Sequence, residues 1–154
     1  MSGGTKPPHG GTLKRLEIRV PITPVPKGRP RFRAFRGRVH TFTPAKTAKY
    51  EKEIADYYKH ISCNFKFDRD QPICISIAFG MPIPKSAPKS RRQAMTEGIL
   101  RHIKKPDVDN LAKAVLDALN GIAWEDDSQI VRLTAWKEYS TEPYVYMFIH
   151  ESVD

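Results

Sequence analysis

The sequence predicts a single α+β domain in which a mixed β-sheet carries two main helices, in the order β-α-β-α-β-β with an extra basic hairpin. Three observations predict this fold class. The chain has 154 residues, which is enough for one domain with a sizeable core. Its 40% hydrophobic and 28% charged residues are typical of a soluble globular protein. Segments in which every second residue is apolar alternate with segments of helical periodicity.

The first third of the chain predicts a strand, a basic hairpin and a helix. Apolar and polar residues alternate over residues 16–22, as in a half-buried strand. Residues 27–38 contain six basic residues, two phenylalanines and no acidic residue, and we expect the extra hairpin there. The segment from Pro44 to Ile61 predicts a helix, with Thr43 as its N-cap and Pro44 at its first position.

The middle of the chain predicts a second strand and a long basic connection. Residues 73–79 alternate between apolar and small or polar side chains, which gives the strand. Residues 82–105 carry seven Lys and Arg but only one Glu. This connection is longer than an ordinary loop, so we expect it to be functional or partly helical around Ser90–Glu97.

The last third of the chain predicts a helix and two closing strands. Residues 109–120 are rich in Ala and Leu with a helical pattern, and Gly121 supplies the C-terminal stop. The segments from Gln129 to Lys137 and from Tyr144 to His150 predict strands, joined by a turn at residues 141–143.

The net charge of +9 conceals an asymmetry along the chain. Residues 1–105 contain 23 Lys and Arg and 7 Asp and Glu, whereas residues 106–154 contain 3 and 10. One interpretation is uneven decoration of a solvated surface. The other is a basic surface that delivers a polyanion, nucleic acid first of all, to an acidic pocket. Such a pocket would repel phosphates unless divalent cations lay between them.

Cysteine usage and hydropathy indicate a cytoplasmic protein. Cys63 and Cys74 are eleven residues apart and form no CxxC motif, so we expect reduced thiols. No stretch approaches the ~18–20 apolar residues of a membrane span, and no signal peptide follows the start. Residues 1–12 are low in apolar content, and we expect a flexible tail before a domain over residues 13–154.

Acidic residues are densest around the last predicted helix. Asp107 and Asp109 lie at or just before its start, where an aspartate can also serve as an N-cap. Asp109, Lys113 and Asp117 recur every four residues, with Asn120 one step further, and form a polar stripe on an otherwise apolar helix. That stripe is either the wall of a polar site or an ordinary surface ion-pair ladder.

Asp126 and Asp127 directly precede the apolar run of a predicted strand. Adjacent strand residues point to opposite faces, so only one of the two should join the carboxylates of the helix, while the other faces solvent or a turn. Converging carboxylates raise one another's pKa unless a cation neutralises them, and Mg²⁺ suits carboxylates, waters and phosphate oxygens. The motifs lack histidine, which argues against zinc. A calcium EF-hand loop starting at Asp107 fails because apolar residues occupy its required ligand and glycine positions.

Two segments resemble the signature of one nuclease family. Residues 105–121 have the sequence KPDVDNLAKAVLDALNG, and residues 126–130 have the sequence DDSQI. Both resemble the RusA family of Holliday-junction resolvases, and a looser resemblance runs from about Leu16 to His150. The resemblance implies a RusA-like fold and a homodimeric endonuclease, bacterial or phage-encoded. Such an enzyme would cut four-way DNA junctions in recombination and repair with Mg²⁺, for which Mn²⁺ could substitute.

The resemblance also implies which residues are catalytic. By position, Asp107, Asp109 and Asp127 match the essential carboxylates of the family, which would hold the metal, and Lys113 matches its essential lysine. Lys113 could neutralise the scissile phosphate. The basic insertion before Lys104 departs from shorter members of the family, and residues 1–12 have no counterpart in it.

Basic residues of the hairpin, and those just before the acidic motif, are the candidates for phosphate contacts. They are Arg29, Arg31, Arg33, Arg36, Arg38, Lys104 and Lys105. Phe32 and Phe35 either stack on unpaired bases near a junction centre or pack within the hairpin. Two rival functions stay open: a DNA- or RNA-binding module with a structural acidic cluster, and a metal-dependent transferase that holds a nucleotide with Asp107 and Asp109.

Overall fold

The computed structural model describes residues 13–29 and 31–153, and the tail expected over residues 1–12 lies outside them. The described residues form six strands and three helices: β1 (Arg15–Val20), β2 (Arg31–Phe35), β3 (Arg38–Phe42), α1 (Ala45–Ser62), β4 (Ile73–Pro82), α2 (Lys89–Thr96), α3 (Val108–Leu119), β5 (Ile130–Ser140) and β6 (Tyr144–Glu151). A short 3-10 helix, Asp127–Gln129, directly precedes β5.

Four of the strands form a mixed sheet in the order β1-β6-β4-β5. Strand β6 pairs antiparallel with β1 and β4, whereas β4 pairs parallel with β5. Strands β2 and β3 form a separate antiparallel hairpin. The predicted α+β class, with a mixed sheet and an extra basic hairpin, is therefore confirmed. The third helix, α2, lies in the basic connection that we expected to be partly helical.

The core lies between one face of this sheet and the helices α1 and α3. Side chains alternate between the two faces of a strand, and every second residue of β1, β4 and β6 is buried against the helices. Ile18, Ile77 and Met147 are examples from the three strands. Helix α3 buries six of its twelve residues, and Trp124, which follows it, is fully buried. Tight packing on both sides of α3 fixes the helix that carries the acidic motif.

The hairpin β2–β3 projects from this core, and all ten of its strand residues are exposed. Its turn is formed by Arg36 and Gly37, with φ values of 50° and 72°. Two successive positive φ values are the mark of the type I′ turn, whose twist matches that of the strands it joins. Gly37 adopts this conformation without steric cost because it lacks a Cβ atom.

Helix α1 begins one residue later than predicted and without the predicted cap. Pro44 is the N-cap in place of Thr43, because its ψ of 142° keeps its backbone extended and outside the helix. No side chain hydrogen-bonds to the first turn. The remaining predicted strands and helices lie within a few residues of their observed bounds.

Two further expectations from the sequence can be compared with the structure. Cys63 and Cys74 are both free thiols, the first exposed and the second buried, as predicted. Among the described residues, no helix combines the length and the apolar character that crossing a membrane requires.

Candidate active site

Helix α3 presents its polar stripe away from the core. Its apolar residues are buried, whereas Asp109 and Lys113 are exposed and Asp117 is half-buried. Within the described part of the chain, Lys113 forms no ion pair with either aspartate. The ladder interpretation of the stripe is therefore wrong, and the Lys113 ammonium is available to an external anion.

Asp107 is the N-cap residue of α3, but its side chain does not cap the helix. Its backbone carbonyl accepts the hydrogen bond from the Leu111 N–H at 3.1 Å, while its exposed carboxylate bonds to no backbone N–H of the first turn. Capping was the structural alternative for this residue, and the geometry does not support it. The carboxylate lies at the positive end of the helix dipole, and within the described residues its oxygens accept no hydrogen bond.

The segment before Asp107 is held by a lysine that the sequence did not single out. Lys137, on the edge strand β5, donates hydrogen bonds to the carbonyls of Lys104 at 2.6 Å and Pro106 at 2.9 Å. Because an ammonium group can donate three hydrogen bonds, one side chain holds two carbonyls of the incoming chain. Lys137 therefore positions the start of the acidic motif.

The loop that carries Asp127 is organised by the buried side chain of Gln129. Its Oε1 accepts hydrogen bonds from the N–H groups of Glu125 at 2.8 Å and Asp126 at 3.1 Å. Its Nε2 donates to the carbonyls of Asp68 at 2.7 Å and Gln71 at 3.1 Å. A buried amide with all of these partners is fully satisfied, and it ties the acidic loop to the loop before β4.

Asp126 and Asp127 lie just before β5, and Asp126 forms the turn that was expected for one of the two aspartates. Asp126 accepts a hydrogen bond from the Ser128 N–H at 3.1 Å and completes a capping box with Gln129, which bends the chain into the 3-10 helix before β5 begins. Asp127 accepts a hydrogen bond from the indole N–H of Trp124 at 2.8 Å. One aspartate thus serves the turn, and the other is held against the core.

The two aspartates also differ in their electrostatic surroundings. The hydrogen bonds from Ser128 hold the pKa of Asp126 below its usual value. Burial raises the pKa of Asp127, and the charges of Asp117 and Asp126 raise it further, although the Trp124 hydrogen bond opposes the shift. Of the acidic residues on α3, Asp117 is the one whose charge contributes to this shift.

A charge network that the sequence analysis missed joins the basic segment to α3. The Nζ atom of Lys27 lies 2.6 Å from Glu51 Oε1 and 2.9 Å from Asp117 Oδ2. Burial lowers the pKa of Lys27, but the hydrogen bonds to the two carboxylates outweigh burial, and its pKa is raised above the usual value. The backbone N–H of Lys27 also donates to the carbonyl of Asn110 at 3.1 Å.

Gly28 shows how closely this basic segment approaches α1. A Cβ atom at position 28 would lie 2.7 Å from Thr47 Oγ1 and 3.0 Å from Pro44 Cγ. Only glycine fits without displacing these groups. Together, Gly28 and Lys27 bring the chain that leads into the arginine-rich hairpin alongside the start of α3.

The structure brings some predicted site residues together and leaves others apart. Among residues 13–29 and 31–153, no three His, Cys, Asp or Glu side chains are grouped closely enough to hold a metal ion. Asp107 and Asp109 lie at the start of α3, and Asp127 lies in the 3-10 helix that precedes β5. The predicted phosphate-binding residues are all exposed: Arg29, Arg31, Arg33, Arg36, Arg38, Lys104 and Lys105.

Aspartates at a helix start, a lysine one turn along that forms no ion pair within the described residues, and an exposed arginine hairpin are features expected of an enzyme that acts on nucleic acid. Comparison with known proteins agrees with this class. The model of the family described as Endodeoxyribonuclease RusA matches residues 21–150, and the chain belongs to that family. Endonucleases of the family generally depend on a divalent metal and act on junction DNA.

A curated relative extends over most of the same region. The uncharacterized protein YqaN of Bacillus subtilis (strain 168) is 39% identical over 132 residues, which cover 83% of this chain and 90% of the relative. An alignment of this length spans the hairpin and the acidic motif.

Proposed function

We propose that this protein is a crossover-junction endonuclease that resolves four-way DNA junctions by paired phosphodiester hydrolysis in recombination and repair. One observation carries the proposal. The carboxylate of Asp107, which does not cap α3, and the ammonium of Lys113, which has no ion pair within the described residues, are both exposed. The exposed Lys104 and Lys105 precede them in the chain. Membership of an endodeoxyribonuclease family supports hydrolysis as the reaction. The two free thiols support a cytoplasmic setting.

Asp107, Asp109 and Asp127 are the proposed ligands of Mg²⁺, with Mn²⁺ as a substitute. Their chemistry fits a hard cation, because all three offer carboxylate oxygens. Asp127 uses one oxygen for Trp124, whereas within the described residues no hydrogen bond or ion pair restrains the exposed side chains of Asp107 and Asp109. When bound, the metal supplies a Lewis acid and a water of lowered pKa.

Lys113 is proposed to contact the scissile phosphate. It lies one helical turn after Asp109, and its exposed ammonium has no carboxylate partner within the described residues. Charge that develops on the phosphoryl oxygens during hydrolysis is stabilised by a cation already in place. An ion pair with Asp109 would occupy the ammonium group and so withdraw it from the phosphate.

The DNA is proposed to lie along the basic segment and the hairpin. The phosphate contacts would come from Arg29, Arg31, Arg33, Arg36, Arg38, Lys104 and Lys105, all of which are exposed. Contacts of this kind release counterions, so we expect the affinity to fall steeply as the salt concentration rises. The bond between Lys27 and Asn110 supports this path, because it places the basic segment beside α3.

A homodimer is proposed because a four-way junction has approximate twofold symmetry and must be cut in two strands. The sheet face opposite the helices supports it. That face carries Trp136, Tyr146 and Phe148, and Trp136 is exposed in the single chain. Sedimentation of the purified protein tests the proposal, since a chain that stays monomeric at the concentrations that cut junctions would contradict it.

Cleavage of three labelled substrates with Mg²⁺ tests the function as a whole. The substrates are a four-way junction, a flap and a linear duplex, and only the junction should be cut in symmetric pairs. Asp109→Asn should lower the cleavage rate by about 100-fold or more while junction binding persists, since metal-assisted charge stabilisation contributes several kcal/mol. Asp56→Asn, an exposed change on α1, is the matched control.

The same experiment separates the rival functions. Unchanged cleavage by Asp109→Asn would refute the assignment of the site, and equal cutting of all three substrates would refute junction specificity. A wild-type protein that binds the junction without ever cutting it would favour the binding-module alternative. Turnover that needs a nucleotide and no DNA would favour the transferase.

A further inference from the structure

The hairpin β2–β3 has two faces of different chemistry. Its register pairs Arg31 with Phe42, Arg33 with His40 and Phe35 with Arg38. Paired residues share a face of a sheet, and so do residues two apart in one strand. One face therefore combines cations and aromatic rings, and its members are Arg31, Arg33, Phe35, Arg38, His40 and Phe42. The opposite face carries Phe32, Ala34, Val39 and Thr41, without a charged group.

The cationic aromatic face forms a shallow groove. Arg33, Phe35, His40 and Phe42 line a cavity of about 400 Å³. This volume lies within the ~300–1,000 Å³ that is typical of small-ligand sites. The rings are accessible, with Phe35 63% and Phe42 41% exposed. The groove therefore offers open aromatic surface with arginines around it.

Within the described residues, no carboxylate pairs with the positive charges of this groove. No Asp or Glu occurs between Glu17 and Glu51 in the sequence. Among the described residues, no arginine of the hairpin forms an ion pair. Arg33 lies over the ring of Phe42 at 5.8 Å, and Arg36 lies over the ring of Phe35 at 5.4 Å. The face is therefore preorganised for a ligand that is anionic and has flat rings.

We propose that this face binds unpaired nucleotides of the DNA substrate, with bases stacked on Phe35 and Phe42 and phosphates paired with the neighbouring arginines. The inference deepens the proposed function and rests on its DNA substrate. Single-stranded nucleic acid is recognised by aromatic platforms in a positive groove, because every base presents a π-face once it is unpaired. A duplex keeps its bases stacked and offers this groove only its backbone.

The register also decides between two phenylalanines that the sequence left equivalent. Phe32 is 72% exposed, but it lies on the uncharged face with Val39, away from the arginines that face the groove. Phe42, which the sequence analysis did not consider, takes its place beside Phe35. Phe32 is consequently a matched control in the same hairpin, of the same residue type and of greater exposure.

Binding without metal tests the proposal independently of cleavage. A fluorescein-labelled oligo(dT) strand and a blunt duplex of equal length are titrated in EDTA with the wild type, Phe35→Ala, Phe42→Ala and Phe32→Ala. Loss of one stacking ring should weaken oligo(dT) binding about 5–100-fold. Duplex binding by the same variants should stay close to that of the wild type. Phe32→Ala should leave binding of both probes unchanged.

A second pair of variants guards against simple disruption of the hairpin. Phe35→Trp and Phe42→Trp keep a stacking ring, so they should retain oligo(dT) affinity, and the added indole should be quenched when the strand binds. Equal loss for Phe32→Ala and Phe35→Ala, or equal loss on duplex and oligo(dT), would overturn the proposal. So would unchanged oligo(dT) binding by both groove alanine variants. Absence of junction cutting by the wild type would refute the proposed function instead and leave these binding results standing.

Discussion

Replacing Lys27 by methionine removes the one cation that two carboxylates share. In the structure, Lys27 Nζ lies 2.6 Å from Glu51 and 2.9 Å from Asp117. The side chains are 20% exposed for Lys27 and Glu51 and 30% exposed for Asp117. The substitution keeps the aliphatic stem but leaves two carboxylates of α1 and α3 facing each other without a partner.

The expected loss of stability follows from this partial burial. Breaking an exposed ion pair costs about 0–1 kcal/mol, whereas breaking a buried one costs about 3–5 kcal/mol. The two ion pairs of Lys27, whose side chains are 20–30% exposed, fall between these limits. We therefore expect the substitution to lower the free energy of unfolding by about 2 kcal/mol. For a domain of this size, that free energy lowers the Tm by about 4–8 °C.

The pH dependence of this stabilisation has a definite sign. The pKa of Lys27 is raised above its usual value of 10.5 in the folded protein. A group whose pKa is raised by folding stabilises the fold at every pH below its unfolded pKa and loses that contribution as the pH rises through its folded pKa. The difference in Tm between wild type and Lys27→Met should therefore be constant across neutral pH and shrink only above pH 10.5.

Thermal unfolding of a small set of variants tests the reasoning. Lys52→Met is the matched control, because Lys52 forms a 2.7 Å pair with Asp56 on the exposed side of α1. It should leave the Tm unchanged within error. Adding Glu51→Gln and Asp117→Asn to Lys27→Met removes the stranded charges and should recover most of the loss. A Tm for Lys27→Met no lower than that of Lys52→Met would refute the argument.

Three further predictions concern the site itself. Asp127→Asn should abolish cleavage. It should also raise the Tm of the metal-free protein, measured by calorimetry in EDTA, because it removes a half-buried charge next to two other aspartates. A fall in that Tm would contradict the prediction. Lys113→Met should slow junction cleavage by about 100-fold in a gel assay at unchanged Tm, and a loss confined to binding would contradict its role at the phosphate. Lys137→Met should speed amide hydrogen exchange in the segment before α3, because two carbonyls lose their donor, and unchanged exchange would show that Lys137 does not position it.

Local patterns account for what the sequence predicted well. The strands of the main sheet and α3 follow from spacings of two and of 3.6 residues, and the hairpin from a local run of basic residues, and all of these depend only on neighbours in the chain. The polar stripe of α3 is of the same kind, and the structure exposes Asp109 and Lys113 as the spacing predicts. The same parity could have separated Phe32 from Phe35, since residues three apart in one strand must point to opposite faces.

Long-range contacts account for what the sequence did not show. Lys27 and Glu51 are 24 residues apart, and Lys137 and Lys104 are 33 residues apart. Which lysine meets which oxygen is set by the packing of α1 on α3 and by the place of β5 at the sheet edge. No spacing along the chain encodes either contact. The turn at Asp126 was expected for one of the two aspartates, but its capping box with Gln129 was not recognised in the sequence.

The distribution of cations around α3 distinguishes Asp117 from the three proposed metal ligands. Lys27 neutralises Asp117, whereas no ion pair within the described residues reaches Asp107, Asp109 or Asp127. A domain with 26 Lys and Arg does not lack cations for this purpose. Carboxylates left unpaired beside an exposed lysine are therefore suited to a charge that comes from outside, whereas Asp117 is already compensated from within. Asp117→Asn should consequently lower the Tm with little effect on metal affinity, whereas Asp109→Asn should lower metal affinity with little effect on the Tm.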